Sequence, residues 1–233
     1  MRGALPLVAV LAALPAPLAA QSYQCRLPAA VAVPRIVADG PVRRVPVTGY
    51  TLALSWSPEF CRTRASDAAH SRQCGGRAGQ FGLVVHGLWP EGGATWPQWC
   101  AARRAPSAAQ LRANLCLTPS ARLLAHEWAK HGSCMTRDPG RYFRVTRILY
   151  EGLRFPDLDR ISRERALTAG FLRARFVDAN PGWSERAVGI QLSERGWLRE
   201  IRLCYDRRFM PRACDRARSG ARDAAAVKIW RGL

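Results

Sequence analysis

A chain of 233 residues can bury the core of one ordinary domain, and nothing in it marks a second. Its formal charge of +19, from 36 basic and 17 acidic residues, favours polyanions such as RNA, DNA, acidic glycans or anionic lipid headgroups as partners. Beyond the N-terminus no apolar run is long enough to anchor the chain in a bilayer, and no C-x-x-C pair offers a structural metal site.

Met1-Arg2, the apolar run Ala4 to Leu18 and the small residues Ala19-Ala20 have the layout of a secretory signal peptide cleaved after Ala20. Residues 1–20 are therefore expected to be removed from a soluble, exported protein, periplasmic or extracellular. Losing Arg2 lowers the formal charge from +19 to +18. Eight cysteines follow, at 25, 61, 74, 100, 116, 134, 204 and 214. An even number in an exported chain predicts four disulfides, each typically contributing ~2–4 kcal/mol by restricting the unfolded chain.

Residues 21–48, rich in Ala, Val and Pro, read as an extended lead-in. Tyr50-Thr51-Leu52-Ala53-Leu54-Ser55-Trp56 alternates large and small residues, which predicts a strand with Tyr50, Leu52, Leu54 and Trp56 on one face, ended by Pro58. Cys61 and Cys74 bracket a polar loop in which His70 reads as an exposed histidine. Phe81 to Val85 predicts a second strand, and alternation leaves His86 at its rim on the side of Gly82 and Val84. Gly87, Pro90 and Gly92-Gly93 then predict a loop with Trp89, Trp96 and Trp99 as flat surfaces nearby, although core packing explains any one of these tryptophans equally well.

The most informative stretch is His126-Glu127-Trp128-Ala129-Lys130-His131-Gly132. Thr118 as N-cap, Pro119 as first residue, Leu123 and Leu124 as an apolar stripe and Gly132 as a stop predict a short helix. At ~100° per residue, positions 126, 127, 130 and 131 share roughly 140° of arc, so two imidazoles, a carboxylate and an ammonium occupy one face. That is an acid/base pair with a charge stabiliser attached. A solvated polar face is the ordinary origin of such clusters, but this chain has only four histidines and places two of them here. Zinc fits poorly: the metalloprotease helix is H-E-x-x-H, whereas these histidines are five apart with a lysine between them, so no metal is expected. Only Lys130 and Lys228 among the basic residues are lysine, so Lys130 breaks an arginine habit with a compact point charge.

Asp138-Pro139 predicts a cap and first turn for an amphipathic helix carrying Tyr142, Phe143, Val145, Ile148, Leu149 and Leu153. Residues 162–176 predict a third helix whose arginines face solvent. Asn180-Pro181-Gly182 is a turn, strands follow over 187–192 and 197–206, and the apolar run 224–230 could close the sheet. Helices and antiparallel strands in separate runs favour an α+β fold over a doubly wound one.

His86-Gly87-Leu88-Trp89-Pro90, together with His126-Glu127-Trp128-Ala129-Lys130-His131-Gly132-Ser133-Cys134, resembles the two active-site segments of the ribonuclease T2 family. YTLALSWSPEFC (50–61) and CYDRRFMPRAC (204–214) are similar to that family's first strand and C-terminal disulfide hairpin, so the resemblance spans roughly residues 49 to 231. It implies a catalytic domain over 49–233, α+β with a central antiparallel β-sheet flanked by several helices and stapled by disulfides. It also implies an endoribonuclease (RNA lyase) that cleaves single-stranded RNA without cofactor or metal. The ribose 2′-oxygen attacks phosphorus and leaves a 2′,3′-cyclic phosphate, so DNA is not cleaved. By position in the motifs, His131 corresponds to the base, His86 to the acid and His126 to a phosphate ligand, with Lys130 and Glu127 steadying the transition state. Trp89, helped by Trp96, corresponds to a base-stacking residue. The resemblance further implies the pairs Cys204–Cys214, Cys100–Cys134 and Cys61–Cys74; Cys25 and Cys116 are the two left over, and a monomer without a membrane anchor is expected. Two other readings stay open: a catalytically silent protein that captures RNA or acidic glycan, and a metal-dependent hydrolase.

Overall fold

Period-two patterning builds the centre of the fold. The computed structural model describes residues 22–101 and 104–232; the expected signal peptide lies outside them. The strands are β1 (Ser22–Tyr23), β2 (Gly49–Trp56), β3 (Gln80–Phe81), β4 (Leu83–Glu91), β5 (Val188–Leu192) and β6 (Leu198–Tyr205). β1 pairs with β3, while a four-stranded antiparallel sheet runs in the order β4-β2-β6-β5. The helices are α1 (Ser57–Cys61), α2 (Ser71–Cys74), α3 (Ala108–Asn114), α4 (Ala121–Lys130), α5 (Pro139–Glu151), α6 (Leu158–Ile161), α7 (Ala169–Ala179) and α8 (Arg216–Ser219). The fold is α+β, as the segregation of elements predicts.

Leu52, Leu54 and Trp56 sit opposite Leu88, Val85 and Leu83 on the buried face of the sheet. Tyr142, Phe143 and Tyr150 from α5 and Leu172 and Phe176 from α7 join them in one core. Each such side chain taken from water contributes about 1.5–3 kcal/mol before conformational entropy is charged against it. The other face pairs Thr51, Ala53 and Ser55 with Trp89, Gly87 and Val84 on one side, and Ala53 and Ser55 with Arg202 and Glu200 on the other. That polar face carries the candidate site.

The strand expected to end at His86 runs on to Glu91, through Gly87 and Pro90, because β4 is an edge strand that loses no ladder bond to proline. Ala53 pairs with Gly87 but Leu54 with Val85, so His86 is the additional residue of a β-bulge. Phe81 belongs to the short β3 instead. The cap of α4 is Ser120, whose hydroxyl accepts from the Leu123 amide at 3.2 Å, rather than Thr118. Thr118 donates to the Val85 carbonyl at 2.7 Å and so satisfies the bulged edge of β4. The helix ends at Lys130, and Gly132–Cys134 continues as a 3-10 turn.

In the chain's second half, Asp138 caps α5 as its sequence indicates, though Ile148 remains exposed. The third predicted helix starts only at Ala169, capped by Thr168, and the run 224–230 makes isolated bridges at Ala226 and Lys228 instead of a fifth strand. α3 went unread although Ser107 and Gln110 form a capping box. Disulfides join Cys25–Cys116, Cys61–Cys74, Cys100–Cys134 and Cys204–Cys214.

Arg173 of α7 corrects the expectation of solvated arginines in this stretch. It is 5% exposed, donating to the carbonyls of Val188 (2.8 Å), Ser219 (2.8 Å) and Ala221 (2.7 Å) and pairing with Asp223. A guanidinium can satisfy several carbonyls at once, which is why it tolerates burial here. Replacing it (Arg173→Met) strands these acceptors, and a loss of about 3 kcal/mol is expected in denaturant unfolding.

Candidate active site

The bulge of β4 and the C-terminal turn of α4 bring the histidines of the two motifs around one carboxylate. Glu127 is 5% exposed; its Oε1 lies 3.9 Å from His86 Nε2 and its Oε2 lies 4.0 Å from His131 Nε2. The Trp89 indole N–H donates to the same Oε2 at 2.7 Å, and its ring lies 5.1 Å from His86 and 5.8 Å from His131. Residue 87 must be glycine for this arrangement: a Cβ there would sit 2.1 Å from Glu127 Oε2 and 2.6 Å from Trp89 Nε1. The carboxylate occupies the space a side chain would take.

The two histidines have opposed electrostatic surroundings. Burial, reinforced by the charges of Lys130, His126 and His86, pushes His131 down to about 3, so it is a neutral imidazole over the ordinary pH range. Its Nδ1 is buried with no hydrogen-bond partner among the described residues. Burial acts downward on His86 too, but the hydrogen bond to Glu200 and the charges of Glu127 and Glu200 outweigh it and raise His86 above 6.5. Burial pushes Glu127 up to about 7, against the pull of His86, Trp89 and Lys130. The cluster thus pairs an imidazole held unprotonated with one inclined to keep its proton.

Glu200, on β6, was not singled out from the sequence. Its Oε1 lies 2.8 Å from His86 Nδ1 and its Oε2 accepts from Arg202 Nε at 2.7 Å. Burial raises its pKa, but the His86 hydrogen bond and the charges of His86 and Arg202 overcome this and lower it. An ionised Glu200 holds the Nδ1 proton and leaves Nε2 as the exchangeable position. A carboxylate on a strand leaves no local motif; only the pairing of β2 with both β4 and β6 brings positions 86 and 200 together.

The remaining predicted residues divide. His126 and Lys130 share Asp39, from the lead-in: Lys130 Nζ lies 2.9 and 3.0 Å from its carboxylate oxygens, and His126 Nε2 lies 3.7 Å away. The Trp99 indole donates to Asp39 at 3.1 Å. The hydrogen bond from Lys130 is the main force holding the Asp39 carboxyl below its usual range. Burial, with the charges of Lys130, His86 and Arg122, lowers His126 despite Asp39. Trp96 stands elsewhere, donating to Gln98 at 3.0 Å with the Arg43 guanidinium 4.7 Å over its ring. Trp89 donates its indole N–H to Glu127, and Arg202 lies 5.3 Å from its ring centroid, so this tryptophan also braces the Glu127 cluster. Glu91, the last residue of β4, is buried against Arg218 (2.7 Å), Arg212 and Thr51, a structural role. His70 is half-buried with its ring edge-on to Phe60 at 5.0 Å rather than free in a loop. Among the described residues, no three His, Cys, Asp or Glu side chains are grouped to hold a metal ion.

Residues 48–158 match the Ribonuclease T2 family. A probable ribonuclease of Haemophilus influenzae is 31% identical over 183 residues, covering 73% of this chain and 62% of that protein. A ribonuclease of Aeromonas hydrophila is 43% identical over 86 residues, or 36% of each chain. The chain thus spans less than two thirds of the length of either relative. In fold it is similar to an RNase-related protein from Calystegia sepium (TM-score 0.62, 20% identity, covering 79% of this chain and 98% of that one). It is likewise similar to RNase NT in complex with 5′-AMP (TM-score 0.58, 19% identity, 79% and 98%).

If Glu200 sets the His86 proton, Glu200→Gln removes the carboxylate that raises His86, and its pKa falls. Histidine NMR titration checks this; an unmoved His86 with a shifted His126 would locate the influence elsewhere.

Proposed function

Because the chain belongs to the Ribonuclease T2 family, we propose that it is an exported endoribonuclease that cleaves single-stranded RNA by metal-independent transphosphorylation. The observation that carries this reading is the opposed character of His86 and His131 on either side of Glu127. A neutral His131 takes the ribose 2′-hydroxyl proton as the 2′-oxygen attacks phosphorus. A protonated His86 delivers its Nε2 proton to the departing 5′-oxygen, and a 2′,3′-cyclic phosphate remains. The phosphorane carries more negative charge than the ground state; Lys130 supplies compensating positive charge and His126 a donor to its oxygens. Glu127, poised near neutrality, steadies both imidazoles as protons move. DNA lacks the attacking oxygen, so discrimination lies in the reaction itself.

The lead-in carboxylate adds a condition: RNA phosphate must displace Asp39 from Lys130 and His126 or share them with it. Export, to periplasm or medium, rests on the Met1-Arg2 start and the apolar run to Leu18. Among the described residues no helix is long and apolar enough to cross a membrane. Trp89 offers the base 5′ to the cleaved bond a stacking surface, worth ~1–3 kcal/mol without sequence preference. We take the protein to act as a monomer.

Positioned acid/base groups contribute roughly 10²–10⁴-fold each, so His86→Ala and His131→Ala should each lose at least that much turnover while near-UV circular dichroism stays native. The parent, given RNA and sequence-matched DNA in EDTA, should yield cyclic phosphate termini from RNA alone; abolition of cleavage by the chelator would replace this reading with a metal-dependent one. The basic limb of its pH profile should fall where His86 loses its proton, above 6.5, and the acid limb where His131 gains one, towards about 3.

A further inference from the structure

A groove of about 830 Å³ opens beside the catalytic cluster, meeting it at His86, His126, Glu200 and Arg202 but not at His131. Two bulges supply part of its lining. In β4 the additional residue is His86; in β6, where Gln191 pairs with Glu200 but Leu192 with Leu198, it is Arg199. Each bulge re-aims one side chain out of the regular alternation. Arg199 is exposed, one residue from the glutamate that holds His86. Arg122, exposed on α4, lines the same groove.

The groove's arginines are not equivalent. Arg62 is engaged with Glu59 at 3.0 Å and lies over the Trp197 ring at 5.0 Å. Arg64 lies 4.5 Å over Phe60 and donates to its carbonyl at 3.0 Å. Among the described residues, Arg199 and Arg122 make no ion pair or side-chain hydrogen bond; they act on Glu59 and His126 only through space. Two unspent guanidiniums in a chain of charge +19 present bidentate donors shaped for phosphate oxygens.

We infer that this groove binds the RNA strand downstream of the leaving nucleotide, with Arg199 and Arg122 as contacts to its backbone phosphates. The direction follows from the chemistry: the groove reaches His86, the residue that protonates the departing 5′-oxygen, so it receives the part of the strand that departs. The assignment rests on the endoribonuclease reading.

Oligonucleotides with a single ribonucleotide in an otherwise 2′-deoxy strand have one cleavable bond and can be lengthened on either side of it. For the parent protein, deoxynucleotides added downstream of a dinucleotide should raise kcat/KM by about tenfold or more at low salt, as one or two charge-assisted phosphate contacts provide. The double variant Arg122→Ala/Arg199→Ala should lose most of that gain, cleaving the dinucleotide and the upstream-extended substrate within about twofold of the parent. Its log–log salt slope should fall by roughly 0.7 per lost contact. An undiminished gain in the variant, or equal losses on all three substrates, overturns the inference. Should the parent cleave none of them, the endoribonuclease reading falls. The groove is then judged by anisotropy with an all-deoxy strand, where weaker binding by the variant supports it and unchanged binding overturns it.

Discussion

One buried carboxylate between two imidazoles is the constraint from which the rest of the site follows. Glu127 can stand within 4.0 Å of both His86 and His131 only because position 87 has no side chain. A buried charge is costly unless partners compensate it, and here the partners are an indole N–H and two groups that can themselves carry protons. Burial raises the carboxyl's affinity for a proton to about 7, against the pull of His86 and the Trp89 indole. Glu127 and His86 act on each other's protonation, while burial keeps His131 neutral beside them.

The scaffold converts this local requirement into a fold requirement. β2 is flanked by β4 and β6, so residues 86 and 200 are held on either side of one strand and meet over its polar face. The bulge at His86 turns an edge-strand residue towards that face, and the Val85 carbonyl it disturbs is satisfied by Thr118 just ahead of α4. Cys100–Cys134 then ties the loop after β4 to the turn after α4. The segments bearing the two motifs are joined covalently close to where their side chains converge.

How much of this could be read in the residues depended on range. The helix face of His126, Glu127, Lys130 and His131 was legible because helical geometry maps sequence spacing directly onto space. Strand alternation located Leu52 and Leu54 in the core for the same reason. His86 was misplaced to a rim because Gly87 and Pro90 look like breakers, and only an edge position lets a strand carry them. Arg173 looked like surface because nothing local announces three carbonyls from distant segments. Glu200 and Asp39 were missed outright: each reaches the cluster through tertiary pairing over 114 and 91 residues respectively, and neither distance has a periodic signature.

The lead-in is more than a tether. Cys25 closes a disulfide onto Cys116 across 91 residues, and Asp39 lies on Lys130, yet both precede residue 48, where the family match begins. A fragment trimmed to that boundary would keep both histidine-bearing segments and look intact by homology. It would also carry an orphan thiol and a lysine relieved of its counter-ion, so its electrostatics around Lys130 and His126 would differ from those of the longer chain.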